Sequence, residues 1–188
     1  EVTALGYWEA LRTHVAKHFG ESSNCLDVGT YEGRSAVWMA ENLVGKEGEL
    51  HIVDPMKGDY VTNLEHNLKL LRRKSKVITH KGDSVIELPK ILEDKGEFFH
   101  FVYIDAGKTA ADNCLNALIC ERLLVVGGIL VIDDYLWPDG SSDNRKSPKL
   151  GIDLYSNLTI LTKTQNTPRT QAVFAKVSPN ALLNKVNL

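Results

Sequence analysis

Four short stretches put reactive residue types where strands end, and a parallel sheet collects such ends in one crevice. The first is LDVGTYEGRS, residues 26–35. Cys25 to Val28 reads as a buried strand end, Gly29 permits a tight turn, and Gly33 lets the backbone approach a ligand closely. Beyond Ser35, Ala36, Val37, Ala40, Leu43 and Val44 recur at helical spacing. Strand, glycine loop and helix together predict a nucleotide-type pocket. The second stretch is His51-Ile52-Val53-Asp54-Pro55. An acid about 20 residues beyond the glycine loop suits a ribose diol, because one carboxylate can accept both hydroxyl protons. The third is Lys81-Gly82-Asp83-Ser84. Asp83 is a candidate for the amino group of adenine, and Asp83 or Ser84 serves equally well as the cap of a helix over 84–94.

The fourth is a pair of apolar runs, FFHFVYIDAGK at 98–108 and GGILVIDDYLW at 127–137. Asp105, Asp133 and Asp134 are expected to gather where these strands end. Three oxygen ligands without clustered histidine or cysteine fit a hard cation, Mg²⁺ or Ca²⁺. Such an ion would acidify and orient a hydroxyl. Lys108, three residues past Asp105, could then take the proton if its own pKa were depressed.

Glycine spacing separates cofactor classes. A dinucleotide fingerprint needs glycine two residues after Gly29, and Tyr31 stands there, where it would crowd a pyrophosphate. The Asp27-Val28-Gly29 … Gly33 pattern instead resembles the first motif of class I S-adenosylmethionine-dependent methyltransferases. Asp27 there places the cofactor loop or simply bonds its backbone. The later motifs resemble the cation-dependent O-methyltransferases that act on catechols and caffeoyl-CoA-like phenylpropanoids. The likeness runs from about Leu26 to Trp137. It is carried by Asp105 with Lys108, and by Gly127, Gly128, Asp133, Asp134, Leu136 and Trp137. The resemblance implies Mg²⁺ held by Asp105, Asp133 and Asp134, and Lys108 as general base. It also implies S-adenosylmethionine held by Gly29, Tyr31, Ser35, Asp54 and Asp83, and a small hydroxylated, catechol-like acceptor.

Asp134 departs from the asparagine usual in that family, a change that would tighten Mg²⁺ or favour Ca²⁺. Neighbouring residues on a strand face opposite ways, so both acids can ligate only if the strand stops at Asp133. The segment before the glycine loop is shorter than in that family. Pro148 to Asp153 and the Asp-Asp pair are also similar to a broader set of small methyltransferases that includes sugar-modifying enzymes. A sugar or macromolecular acceptor, or a cofactor-binding module without turnover, therefore stays open.

The elements that must position these residues alternate. Helices are expected at 6–19, 34–44, 60–73, 84–94, 109–123 and 149–156, and strands at 24–28, 49–54, 76–80, 98–105 and 128–133. Strands near 158–163 and 171–177, joined through Gln165 to Pro168, read as a terminal hairpin. The expectation is an α/β fold: a doubly wound, mostly parallel seven-stranded sheet with a C-terminal antiparallel hairpin strand, in one domain.

Composition narrows the classes. The 188 residues are 43% hydrophobic with a net charge of −2, so there is no polyanion-binding signature. From Arg145 onward seven Lys/Arg face one acid, Asp153, a bias that ordinary surface explains. No Pro-Pro-aromatic segment follows the fourth strand and no glutamate follows Glu121. Both absences argue against nucleic-acid methylation. No apolar run approaches a membrane span. Three cysteines, an odd number, argue against a disulfide framework and for the cytosol. His14 and His18 stand at zinc-ligand spacing without a third ligand. A small-molecule acceptor is the expected partner, with a homodimer left open.

Overall fold

The computed structural model describes residues 5–72, 75–137, 143–166 and 171–177. The strands form with the central ones (25–28, 50–54 and 101–104) buried on both faces, as a parallel sheet requires, and the edge strand at 76–81 left partly exposed. They are β1 (Cys25–Val28), β2 (Glu49–Asp54), β3 (Lys76–Lys81), β4 (Phe99–Ile104), β5 (Leu124–Ile132), β6 (Thr162–Asn166) and β7 (Ala172–Ala175). They form one seven-stranded sheet in the order β3-β2-β1-β4-β5-β7-β6. The first five pair in parallel, and β7 lies antiparallel between β5 and β6. The order reverses at β1, which pairs with β2 on one edge and β4 on the other. A crevice opens at the carboxyl ends of such a switch point.

Among the described residues six α-helices cover the two faces: α1 (Leu5–Phe19), α2 (Arg34–Asn42), α3 (Tyr60–Lys69), α4 (Ser84–Lys95), α5 (Ala110–Leu123) and α6 (Pro148–Leu158). Side-chain alternation along the strands splits the core in two. Cys25, Ile52, Phe101, Tyr103 and Val131 pack with Trp8, Leu11 and Val15 of α1 and Met39 of α2. Leu26, Val28, Val102, Ile104 and Ile132 pack with Leu88 of α4, Ala117 of α5 and Tyr155 of α6. Local chemistry sets the helix starts. Thr109 caps α5 by accepting the Asp112 amide at 3.1 Å, and Pro148 opens α6 at a position where no amide hydrogen is needed.

The boundaries differ most from the sequence reading in three places. β5 begins at Leu124 rather than 128, because α5 runs straight into it. α6 continues to Leu158, where the Thr159 amide bonds the Tyr155 carbonyl at 2.9 Å, so the strand expected from 158 starts at Thr162. α3 stops at Lys69 rather than 73. Within the expected polar loop, residues 138–142 lie outside the described residues and Asn144–Lys146 makes one 3-10 turn. Thr167 and Pro168 of the expected hairpin turn also lie outside them. Cys25, Cys114 and Cys120 are buried free thiols. Among the described residues no helix is long and apolar enough to cross a membrane.

Candidate functional site

The crevice is a cleft of about 1050 Å³ whose walls include Gly29, Tyr31, Asp54, Pro55, Asp83, Ser84, Asp105, Lys108, Asp133, Asp134 and Trp137. One end is built by the β1–α2 loop and the end of β2. Gly29 has φ +90° and its amide bonds the Val53 carbonyl at 2.8 Å. A side chain there would run into the Asp105 carbonyl. Glycine thus lets the loop lie against the end of β4. Tyr31 takes a left-handed backbone, φ +50°, which aims its amide at Asp54 Oδ2 over 3.0 Å. Asp54 Oδ1 accepts the Met56 amide at 2.7 Å and the Tyr60 hydroxyl at 2.6 Å. The rings of Tyr31 and Tyr60 lie 4.8 Å apart at this rim.

Asp83 occupies the N-cap position of α4 yet its side chain makes no cap hydrogen bond. Both Asp83 and Ser84 face the cleft instead. Asp27, Gly33 and Ser35 are not in its walls; they stand behind the loop. Asp27 is fully buried, and its Oδ2 accepts the Ser35 hydroxyl at 2.7 Å. Its Oδ1 has no hydrogen-bond partner among the described residues. Burial raises its pKa to about 7, against the lowering effect of the Ser35 and Thr30 hydroxyls.

The other end is acidic. Asp105 follows β4, and Asp133 and Asp134 follow β5, which stops at Ile132. Asp134 has φ +60°, a conformation aspartate tolerates better than most residues. That turn lets both neighbours face the cleft, which the alternation of a continuing strand would forbid. Lys108 Nζ donates to Asp105 Oδ1 over 3.0 Å and also to Asp134 Oδ2. It lies 5.5 Å from the centre of the Trp137 ring. Burial disfavours the Lys108 charge, but the bonds and charges of Asp134 and Asp105 outweigh it and raise its pKa. The depression on which a role as base was conditional does not come from these neighbours, which favour the ammonium. Burial moves Asp105 the other way, up to about 6, with Lys108 opposing and Asp134 adding.

Asp133 is held from behind. Its Oδ1 accepts the Asp134 amide at 2.7 Å, and its Oδ2 accepts the Tyr103 hydroxyl and the Gln171 amide, the latter at 2.9 Å. Gln171 in turn accepts the Trp8 indole N–H at 3.2 Å. The three acids expected as ligands thus share one cleft without converging as a ligand set. An ammonium sits between two of them and the third is bound to buried donors. Among the described residues no group of three acids, histidines or cysteines is arranged to hold a metal ion. His14 Nε2 bonds the Gly127 carbonyl at 3.1 Å, and the His18 ring stacks on His14.

The sequence reading missed Tyr60, Tyr103 and Gln171, which hold the acids in place. Only Tyr60 had a local signal, lying six residues past Asp54. Tyr103 and Gln171 meet Asp133 across 30 and 38 residues. Val53, Val85 and Asp112 also line the cleft without having been singled out.

A family profile described as a methyltransferase domain matches residues 26–135. No curated protein matches the chain. Among solved structures, an O-methyltransferase from Bacillus cereus in complex with S-adenosylhomocysteine superposes with a TM-score of 0.72 at 18% identity, covering 94% of this chain and 83% of that one. TomG from Streptomyces achromogenes, an O-methyltransferase of tomaymycin synthesis in complex with S-adenosylmethionine, gives 0.70 at 18% identity, covering 95% and 82%. At these identities the likeness is one of fold.

Proposed function

We propose that this chain, which belongs to the methyltransferase-domain family matched over residues 26–135, methylates a hydroxyl oxygen of a small acceptor with S-adenosylmethionine. The observation that carries the reading is the polarity of the cleft. A fixed carboxylate, Asp54, stands at one end, and a charged Asp105–Lys108–Asp134 group stands at the other. A volume of about 1050 Å³ exceeds what a drug-sized ligand fills, so it suits a nucleoside cofactor with a small acceptor beside it. The similar folds named above as O-methyltransferases, one with S-adenosylhomocysteine and one with S-adenosylmethionine, support the choice of cofactor and of oxygen.

Asp54 receives three donors, two on Oδ1 and one on Oδ2, and keeps an Oδ2 lone pair for a ribose hydroxyl. Asp83, free of capping, is the acceptor for the adenine amino group, and Val85 packs beside it. Gly29 keeps the loop against β4, so no side chain intrudes between them. When bound there, S-adenosylmethionine supplies an activated methyl group. At the acidic end, Asp105 accepts the acceptor's proton, and the half-exposed Trp137 ring packs against a flat acceptor. The contribution of these residues is orientation, which brings the acceptor oxygen into line and lowers the entropic part of the barrier. The Mg²⁺ or Ca²⁺ requirement expected from the sequence is left out of this reading. Lys108 already takes one oxygen each of Asp105 and Asp134, the pair such an ion would bridge, and Asp133 is bonded by Tyr103 and Gln171.

The test is formation of S-adenosylhomocysteine on a panel of catechols, phenylpropanoids and sugars. Turnover on a hydroxyl of any of them establishes the reading. Cofactor binding without turnover on any acceptor would leave a binding module and overturn it.

A further inference from the structure

Lys108 is caged. Two of its three N–H bonds point at Asp105 Oδ1 and Asp134 Oδ2, and Trp137 lies over it. An ammonium has three donors and no acceptor, so one donor remains for a ligand in the cleft. A divalent cation bridging Asp105 and Asp134 would sit about 2 Å from each oxygen, in the space this ammonium fills. Asp133 is committed as well, its Oδ2 accepting both the Tyr103 hydroxyl and the Gln171 amide.

We propose that the Lys108 ammonium does here the work a divalent cation would do, anchoring the nucleophilic oxygen of the acceptor so that methyl transfer proceeds without a metal. This rests on the O-methylation reading above. The acceptor oxygen accepts the third Lys108 N–H and attacks the sulfonium methyl group. The O–CH₃ bond forms as the S–CH₃ bond breaks, and the electron pair stays on sulfur as the neutral thioether. The hydroxyl proton passes to the Asp105 carboxylate and then to water, which the cleft admits. Charge balances throughout: one cationic sulfonium is consumed and one proton is released. Asp134 is a positioning residue that holds the ammonium, and Lys108 is a catalytic residue because it touches the reacting oxygen.

The experiment uses the full chain freed of metal with EDTA, and the variants Lys108→Ala, Lys108→Gln and Lys108→Arg. Calorimetric S-adenosylmethionine binding reports that the cofactor site is intact in each. Manganese binding is followed by electron paramagnetic resonance, and S-adenosylhomocysteine formation is followed with and without Mg²⁺. The native chain is expected to turn over equally with EDTA or Mg²⁺ and to bind no Mn²⁺ saturably. Lys108→Ala and Lys108→Gln should lose about 100-fold in kcat, the scale of losing one donor to an oxygen as it gives up its proton, with cofactor affinity kept. They should also gain saturable Mn²⁺ binding, because two carboxylates are released. Lys108→Arg should restore part of kcat. Saturable Mn²⁺ binding by the native chain, or turnover abolished by EDTA and restored by Mg²⁺, overturns the proposal. If no acceptor on the panel turns over, the O-methylation reading fails, while the manganese titrations still decide whether the ammonium excludes the metal.

Discussion

Tyr60 reaches back to Asp54: its hydroxyl donates to Oδ1 over 2.6 Å, while the Tyr31 amide holds Oδ2 over 3.0 Å. The carboxylate is thus oriented before any ligand arrives. Asp54→Ala is expected to weaken S-adenosylmethionine binding by about 10- to 100-fold, the scale of hydrogen bonds to a charged group. Tyr60→Phe should cost less, since the two amide donors remain. Calorimetric titration decides, and unaltered affinity in Asp54→Ala would remove the ribose assignment.

Gly29→Ala places a methyl group against the Asp105 carbonyl at a backbone angle that only glycine takes freely. The angle alone costs about 1–3 kcal/mol, and the clash adds to it. The thermal midpoint should fall and cofactor affinity should fall with it, because the loop must leave β4. Gly20, also at positive φ but with open space around it, is the control. Its alanine variant bears the strain without the clash, and an equal drop in both would refute the close-approach argument.

Asp27 supplies a pH dependence whose sign follows from its environment. Its pKa rises from 3.8 to about 7 on folding, chiefly through burial. The fold therefore favours the protonated acid, and that contribution is full below the unfolded value and is lost as the pH rises through about 7. Asp27→Asn cannot titrate. In urea denaturation the native chain should lose stability relative to Asp27→Asn between pH 4 and pH 8. A difference between the two that stays constant with pH would show that Asp27 does not titrate in this window.

Gln171→Ala and Tyr103→Phe each remove one donor from Asp133. Either should lower stability by about 1–3 kcal/mol, the usual cost of a buried polar group losing its partner. Gln171→Ala should in addition perturb Trp8 fluorescence, because the indole loses its acceptor. A spectrum identical to the native one would show that the Trp8–Gln171 bond is not kept in solution.

The strand ends were legible because each apolar run stops on an acid: Val53 before Asp54, Ile104 before Asp105, Ile132 before Asp133. Parallel topology then predicts that those acids share a crevice. How their side chains are used was not legible. Lys108 reads as a base from its spacing and from the resemblance, while the Asp134 carboxylate that it bonds, 26 positions away, favours its charged form. Asp133 reads as a ligand, and nothing local announces that Tyr103 and Gln171 bond it as well. Ser35 and Asp27 sit in the glycine motif, yet they bond each other behind the wall. Periodicity reports which face is buried and cannot report which polar atoms meet across the sheet. The early start of β5 was hidden because the alternation of Leu124 and Val125 continues the apolar end of α5 without a break.

The strand order has a consequence for synthesis. β1 emerges first and must wait for its partners, β2 on one edge and β4 on the other. Roughly seventy residues separate the end of β1 from the start of β4, a delay of about 4–14 s at ordinary rates of translation. Through that interval one edge of an apolar strand has no backbone to pair with. An exposed edge of this kind invites pairing with other chains. On the ribosome, then, the nascent half-sheet is a natural client for a chaperone, and slowing elongation before Phe99 should lower the yield of folded protein.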